Sequence, residues 1–107
     1  MGKRQARTYL KQYIKRLNED IYPQDVIVYG SFLRDDYNPE TSDIDLLVIA
    51  DIFVQMDEDE RLRLLYRKTT GLPLDFHLYG FTRNELKNIG PLNSLYHAVS
   101  SGVSLFS

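Results

Sequence analysis

The chain has 107 residues, 43% hydrophobic and 26% charged, with a formal net charge of −2 and no cysteine. That length supports one domain with a modest core. The mild acidity argues against a broad nucleic-acid footprint, and the missing thiols exclude disulfides and thiolate metal centres.

No apolar run approaches the roughly 20 residues of a membrane span. Gly2-Lys3-Arg4-Gln5-Ala6-Arg7 leads into an amphipathic segment rather than an apolar signal region, so a cytoplasmic location is expected. Ala6, Tyr9, Leu10, Tyr13, Ile14 and Leu17 recur at helical spacing, which predicts a helix over residues 3–20, with Lys3, Arg4, Arg7, Lys11, Lys15 and Arg16 elsewhere on it. Pro23 marks a turn, and residues 25–30 read as a first strand. Residues 31–34 begin a short helix, 35–42 form a loop around Asn38-Pro39, and 43–50 form the second strand. Asp57 with Glu60 three residues on reads as a capping box for a helix over 58–69, closed by Gly71 and Pro73. Pro73 to Tyr79 alternates, which predicts a third strand over 74–79. Thr82 and Glu85 form a second capping-box pair, for a short helix ending before Gly90-Pro91. A last helix runs over 93–101, with Gly102 past its end. The expected architecture is one α/β domain over 1–107, a small mixed sheet with helices packed on it.

Two segments carry chemistry. Val26-Ile27-Val28-Tyr29 runs into Gly30-Ser31, and Ser42-Asp43-Ile44-Asp45 opens the apolar run Leu46-Leu47-Val48-Ile49. Side chains at i and i+2 of a strand share a face, so Asp43 and Asp45 project together, about 7 Å apart along the strand. Like charges so placed repel unless a cation lies between them. Hard cations such as Mg²⁺ take carboxylate oxygens together with phosphate oxygens, and two such ions can clamp both ends of an in-line displacement. Glycine lets the main chain approach phosphates closely, backbone N–H groups at a turn bind anions, and the Ser31 hydroxyl adds a donor. On the third strand Leu74, Phe76 and Leu78 form one face and Asp75, His77 and Tyr79 the other. If that strand lies beside the second, Asp75 joins the pair and can take the proton of an incoming hydroxyl.

Gly30-Ser31, Asp43-x-Asp45 and a lone aspartate on a later strand resemble the nucleotidyltransferase superfamily related to DNA polymerase beta. The chain is most similar to its minimal members, including those that act as antitoxins. Arg34 matches a basic residue these often carry, and Tyr96 to Phe106 resembles their closing helix-Gly-apolar segment. Asp35-Asp36 depart from the pattern, where many relatives carry a basic or small residue. The resemblance implies transfer of a nucleoside monophosphate, AMP from ATP or its counterpart from another NTP, to a hydroxyl. Asp43, Asp45 and Asp75 would be the catalytic residues and the ligands of two Mg²⁺ ions; Gly30, Ser31, Arg34 and Ser42 would hold the nucleotide. Larger relatives add a helical domain for the acceptor, for which nothing follows Ser107. The acceptor surface is therefore expected from a second chain. A small helical partner of the HEPN type is the setting the resemblance implies, with a tyrosine of that partner as acceptor. A homo-oligomer is also compatible, and a purely binding antitoxin and an NTP-sensing module are the rival readings.

Other features read as structural. Asp57-Glu58-Asp59-Glu60 lacks the central glycine and alternating ligands of a calcium loop and suits a helix N-terminus. Lys68-Thr69-Thr70-Gly71 lacks the glycines of a P-loop. His77 reads as a hydrogen-bonded structural histidine, and the basic residues of the first helix as a solvated face.

Overall fold

A computed structural model describes residues 2–34, 37–38, 40–90 and 92–106. Asp35, Asp36 and Pro39 of the expected loop, Pro91 and Ser107 lie outside the described residues. Helix α1 (Lys3–Asp20) is followed by strand β1 (Asp25–Tyr29) and a 3₁₀ turn over Gly30–Leu33. Strand β2 (Ile44–Ile49) leads through a second 3₁₀ turn, Asp51–Gln55, into α2 (Glu58–Arg67). Then come β3 (Phe76–Phe81), α3 (Arg83–Lys87), α4 (Ser94–Ser101) and the two-residue β4 (Val103–Ser104).

The strands form one mixed sheet in the order β3-β2-β1-β4. β1 pairs antiparallel with both β2 and β4, whereas β2 and β3 are parallel and joined by the α2 crossover. Both faces of the sheet are covered, which is why β1 and β2 read as nearly unbroken apolar runs. On one face Val26, Val28, Ile44, Leu46, Val48 and Leu78 meet Leu10, Tyr13 and Leu17 of α1, Leu65 of α2, and Phe53. On the other, Ile27, Tyr29, Leu47 and Ile49 meet Leu86 of α3 and Leu95 and Val99 of α4. Burying each such side chain is worth about 1.5–3 kcal/mol, so the sheet is held by its two sandwiching helix layers rather than by strand pairing alone.

Local signals set most boundaries. Both capping boxes form: Asp57 accepts from Glu60 N–H and Thr82 from Glu85 N–H, with each glutamate returning to the cap backbone. Gly71, at φ +82, turns the chain after α2. Three expectations shift. The third strand spans Phe76–Phe81 rather than 74–79, so Asp75 sits one step before it. Gly80 lies within this strand. A Cβ there would lie 2.9 Å from Phe53 Cε2 and 3.1 Å from Leu65 Cδ1, so the strand needs a residue without one. The 3₁₀ turn at Asp51–Gln55 and the short β4 are additions to the expected order; Phe53, fully buried, anchors the former.

β3 is an edge strand, and side chains of α2 cover its outer backbone groups. The Tyr66 hydroxyl donates to Phe76 C=O at 3.3 Å and accepts from Leu78 N–H at 3.1 Å. Arg61 Nη1 donates to Gly80 C=O at 3.2 Å. Capping an edge in this way removes a template for unwanted strand pairing.

Candidate active site

β1 delivers the chain to Gly30, whose φ of +70 is a left-handed value that glycine adopts without strain. The turn that follows is pinned by the buried Phe32. Tyr29 pairs across the sheet with Asp45. A Cβ on Gly30 would overlap Asp45 Oδ2 and lie 3.3 Å from its Cγ. The Asp45 carboxylate thus lies directly against the main chain of the turn, in the place a side chain at position 30 would take. Ser31 Oγ donates to the Asp43 carbonyl at 3.0 Å. The hydroxyl assigned to phosphate from the sequence therefore ties the turn to the start of β2, and what the turn offers a ligand is its backbone.

The parallel register sets Asp45 opposite His77 and Ile44 opposite Phe76. Ile44 N–H donates to the Asp75 carbonyl at 2.9 Å, so Asp43 and Asp75 form the next step outward at the same end of the two strands. Strand alternation puts Asp43, Asp45, Asp75 and His77 on one side, and Ile44 and Leu46 are fully buried on the other. Asp43 and Asp75 are exposed and Asp45 is half-buried. His77 Nδ1 meets Asp45 Oδ1 at 3.1 Å, and its ring lies 5.0 Å from that of Tyr79.

Two tyrosines register the field of these carboxylates. Burial first, and then Asp75 and Asp43, push the Tyr37 hydroxyl above its ordinary range; its ring packs edge-on against Phe32 at 5.0 Å. Burial, followed by Asp45, pushes the Tyr29 hydroxyl well up. That hydroxyl is buried with no hydrogen-bond partner among the described residues.

Among the described residues, no three carboxylates or imidazoles are gathered closely enough to hold a metal ion. Asp43 and Asp75 flank Tyr37, while Asp45 turns to His77. Uncompensated carboxylates repel, and an imidazole across the sheet gives Asp45 a partner. The donor types nevertheless fit a hard divalent cation: carboxylate oxygens and no thiolate, with the turn backbone at Gly30 beside Asp45. Of the other residues assigned to nucleotide from the sequence, Arg34 is exposed at the end of the 3₁₀ turn, and its carbonyl accepts from Lys3 Nζ at 2.9 Å. Ser42 closes the preceding loop, donating its N–H to Asn38 C=O at 2.7 Å. The sequence reading missed the His77–Asp45 contact, since alternation gives a face but not the register that sets one residue opposite the other. Tyr29 and Tyr37 were missed because they read as core and loop residues.

A mixed sheet whose second strand opens on Asp-x-Asp beside a Gly-Ser turn, with a parallel neighbour contributing a further aspartate, defines a nucleotide-transfer scaffold. Residues 10–99 match the family model described as a nucleotidyltransferase domain, and the chain belongs to that family. No match is found among curated proteins. The matched span runs from within α1 to α4 and includes all three aspartates. Transfer of a nucleoside monophosphate is the general activity this membership supports. No described helix is long and apolar enough to cross a membrane.

Proposed function

We propose that the protein moves a nucleoside monophosphate, AMP from ATP in the simplest case, onto a hydroxyl of a protein partner. The observation that carries this reading is the contact between the Gly30 turn and Asp45. The carboxylate lies against the main chain where a side chain at position 30 would stand, so the turn backbone and one of the aspartates are held side by side at the end of the sheet. Asp43 and Asp45 are the residues to hold Mg²⁺, most simply two ions with Asp75 completing the second site, and cations there neutralise charge on the phosphates and the departing pyrophosphate.

The chain's own groups supply the rest. Backbone at Gly30 and Ser31 accommodates the phosphates, with Arg34 beside the turn as an added cation. Asp75 takes the acceptor's proton. The acceptor oxygen then forms the new bond to the α-phosphorus as the bond from that phosphorus to the α,β-bridging oxygen breaks, and pyrophosphate leaves. Asp75 is exposed just ahead of β3, which suits a group that must meet an incoming molecule. A helical HEPN-type partner, with its tyrosine modified and its activity thereby silenced, is the proposed setting, in keeping with the resemblance to minimal antitoxin-type members.

Incubation with α-labelled ATP, Mg²⁺ and the protein encoded beside it tests this reading. Label transferred to the neighbour supports it. A tight complex without label, or nucleotide binding without transfer, replaces it with a binding antitoxin or an NTP sensor respectively.

A further inference from the structure

A groove of about 300 Å³ opens between α1, the Gly30–Leu33 turn and the edge strand β4. Leu10 and Ile14 of α1, Val28, Leu33, Val103 and Leu105 give it an apolar floor. Leu33 and Val103 are 40% and 49% exposed, so part of that floor stands uncovered. Arg7 and Lys11 border it, and no acidic residue among the described residues lines it.

These two cations belong to a longer stripe. Arg4, Arg7, Lys11 and Lys15 follow one another at steps of three and four, so they share one side of α1, and all four are exposed. None of their side chains has a hydrogen bond or ion pair among the described residues. Lys3 and Arg16, by contrast, are engaged by the Arg34 carbonyl and by the Lys68 and Thr70 carbonyls. Six of the chain's 13 lysines and arginines fall within residues 3–16, which hold no Asp or Glu, in a chain of net charge −2. The arrangement works against the helix that carries it. Like charges one turn apart destabilise a helix. Acidic residues in the first turn and basic ones in the last would steady it, and α1 has neither: Lys3 and Arg4 open it, and Glu19 and Asp20 close it. Local choices that oppose the fold are expected where a surface is kept for a function.

A stripe of cations alone would suit a nucleic-acid backbone equally well. The groove decides between the two. Its lining is aliphatic except for Phe32, which is buried, so no ring is presented for bases to stack on. We propose that the groove and its basic border are a docking surface for an acidic amphipathic segment of a partner protein, whose apolar side chains enter the groove while its carboxylates meet Arg7 and Lys11. Nucleotide plays no part in this contact, so it stands or falls apart from the transferase reading.

The test uses the full chain and three fluorescent probes followed by anisotropy. One is an amphipathic peptide with leucines at helical spacing and glutamates between them. The second replaces each glutamate by glutamine, and the third is a single-stranded oligonucleotide. The acidic peptide is expected to bind about tenfold more tightly than its neutral counterpart, with an affinity that falls as salt rises. The double variant Arg7→Gln, Lys11→Gln should lose most of that preference, and Val103→Ser should weaken both peptides. Arg83→Gln with Lys87→Gln removes the same charge from α3, on the other face of the sheet, and should leave binding unchanged. Thermal unfolding should show the Arg7/Lys11 variant to be at least as stable as the wild type, since like charges have been removed. Equal binding of the two peptides, an equal loss in the α3 variant, or a lower unfolding midpoint in the Arg7/Lys11 variant overturns the proposal. Oligonucleotide binding that exceeds peptide binding and is lost in the Arg7/Lys11 variant also overturns it, and makes the stripe a nucleic-acid surface.

Discussion

Glycine at position 30 is required twice over: by φ +70 and by the Asp45 carboxylate where a Cβ would stand. Gly30→Ala is expected to cost about 1–2 kcal/mol from the left-handed backbone alone, and more if Asp45 must move. Urea denaturation reads the first effect and a transfer assay the second; unchanged values in both would show that the turn has room to spare. Tyr29 predicts the opposite sign. Its hydroxyl is buried without a partner among the described residues, and an unmet hydrogen bond is a cost rather than a gain. Tyr29→Phe should leave stability unchanged or raise it by up to about 1 kcal/mol, again read by urea denaturation. A clear loss would reveal a partner for that oxygen. At this scale the sequence made residue types legible, since Gly30-Ser31 and the three aspartates can be seen without coordinates. It hid pairings such as Ser31 to the Asp43 carbonyl and His77 to Asp45, which depend on register between segments distant along the chain.

The elements were legible where their signals are local. Helix α1 and both capping boxes lie where apolar spacing and cap residues put them. β3 was displaced because alternation from Pro73 to Tyr79 sets a face but not the ends of the strand; Gly80 lies within it, where the missing Cβ lets Phe53 and Leu65 pack closely. Gly80→Ala is accordingly expected to destabilise by about 1–3 kcal/mol through overpacking, seen as a lower midpoint in thermal or urea unfolding. A neutral result would mean that Phe53 yields freely. The same region sets an acid limit. Hydrogen bonding from Arg61, with help from Thr82, holds the Glu85 carboxyl below its ordinary value of 4.5. A depressed carboxyl contributes stability above its unfolded value and loses it as pH falls through the folded one. Unfolding free energy should therefore decline on the acid side of 4.5, and Glu85→Gln should flatten that decline. An identical acid limb in the variant would assign the loss to other carboxylates, of which Asp57, held down by the Glu60 N–H, is the nearest candidate.

Across the whole molecule, the two ends of β3 differ. One end brings Asp75 beside the start of β2 and sets His77 against Asp45; the other borders a cavity beside α2 and α3. The α/β class and the mixed sheet followed from alternating helical and apolar segments, because each needs a covered face. The strand order β3-β2-β1-β4 did not, since β4 is two residues long and its pairing with β1 is set by tertiary packing. The most direct measurement is transfer from α-labelled ATP to the neighbouring protein by wild type, Asp43→Asn and Asp45→Asn, with thermal unfolding measured alongside. The expected result is Mg²⁺-dependent label in the wild type, its loss in both variants, and folded protein throughout. Transfer that persists in either variant would contradict the assignment of the aspartate pair as the reaction centre.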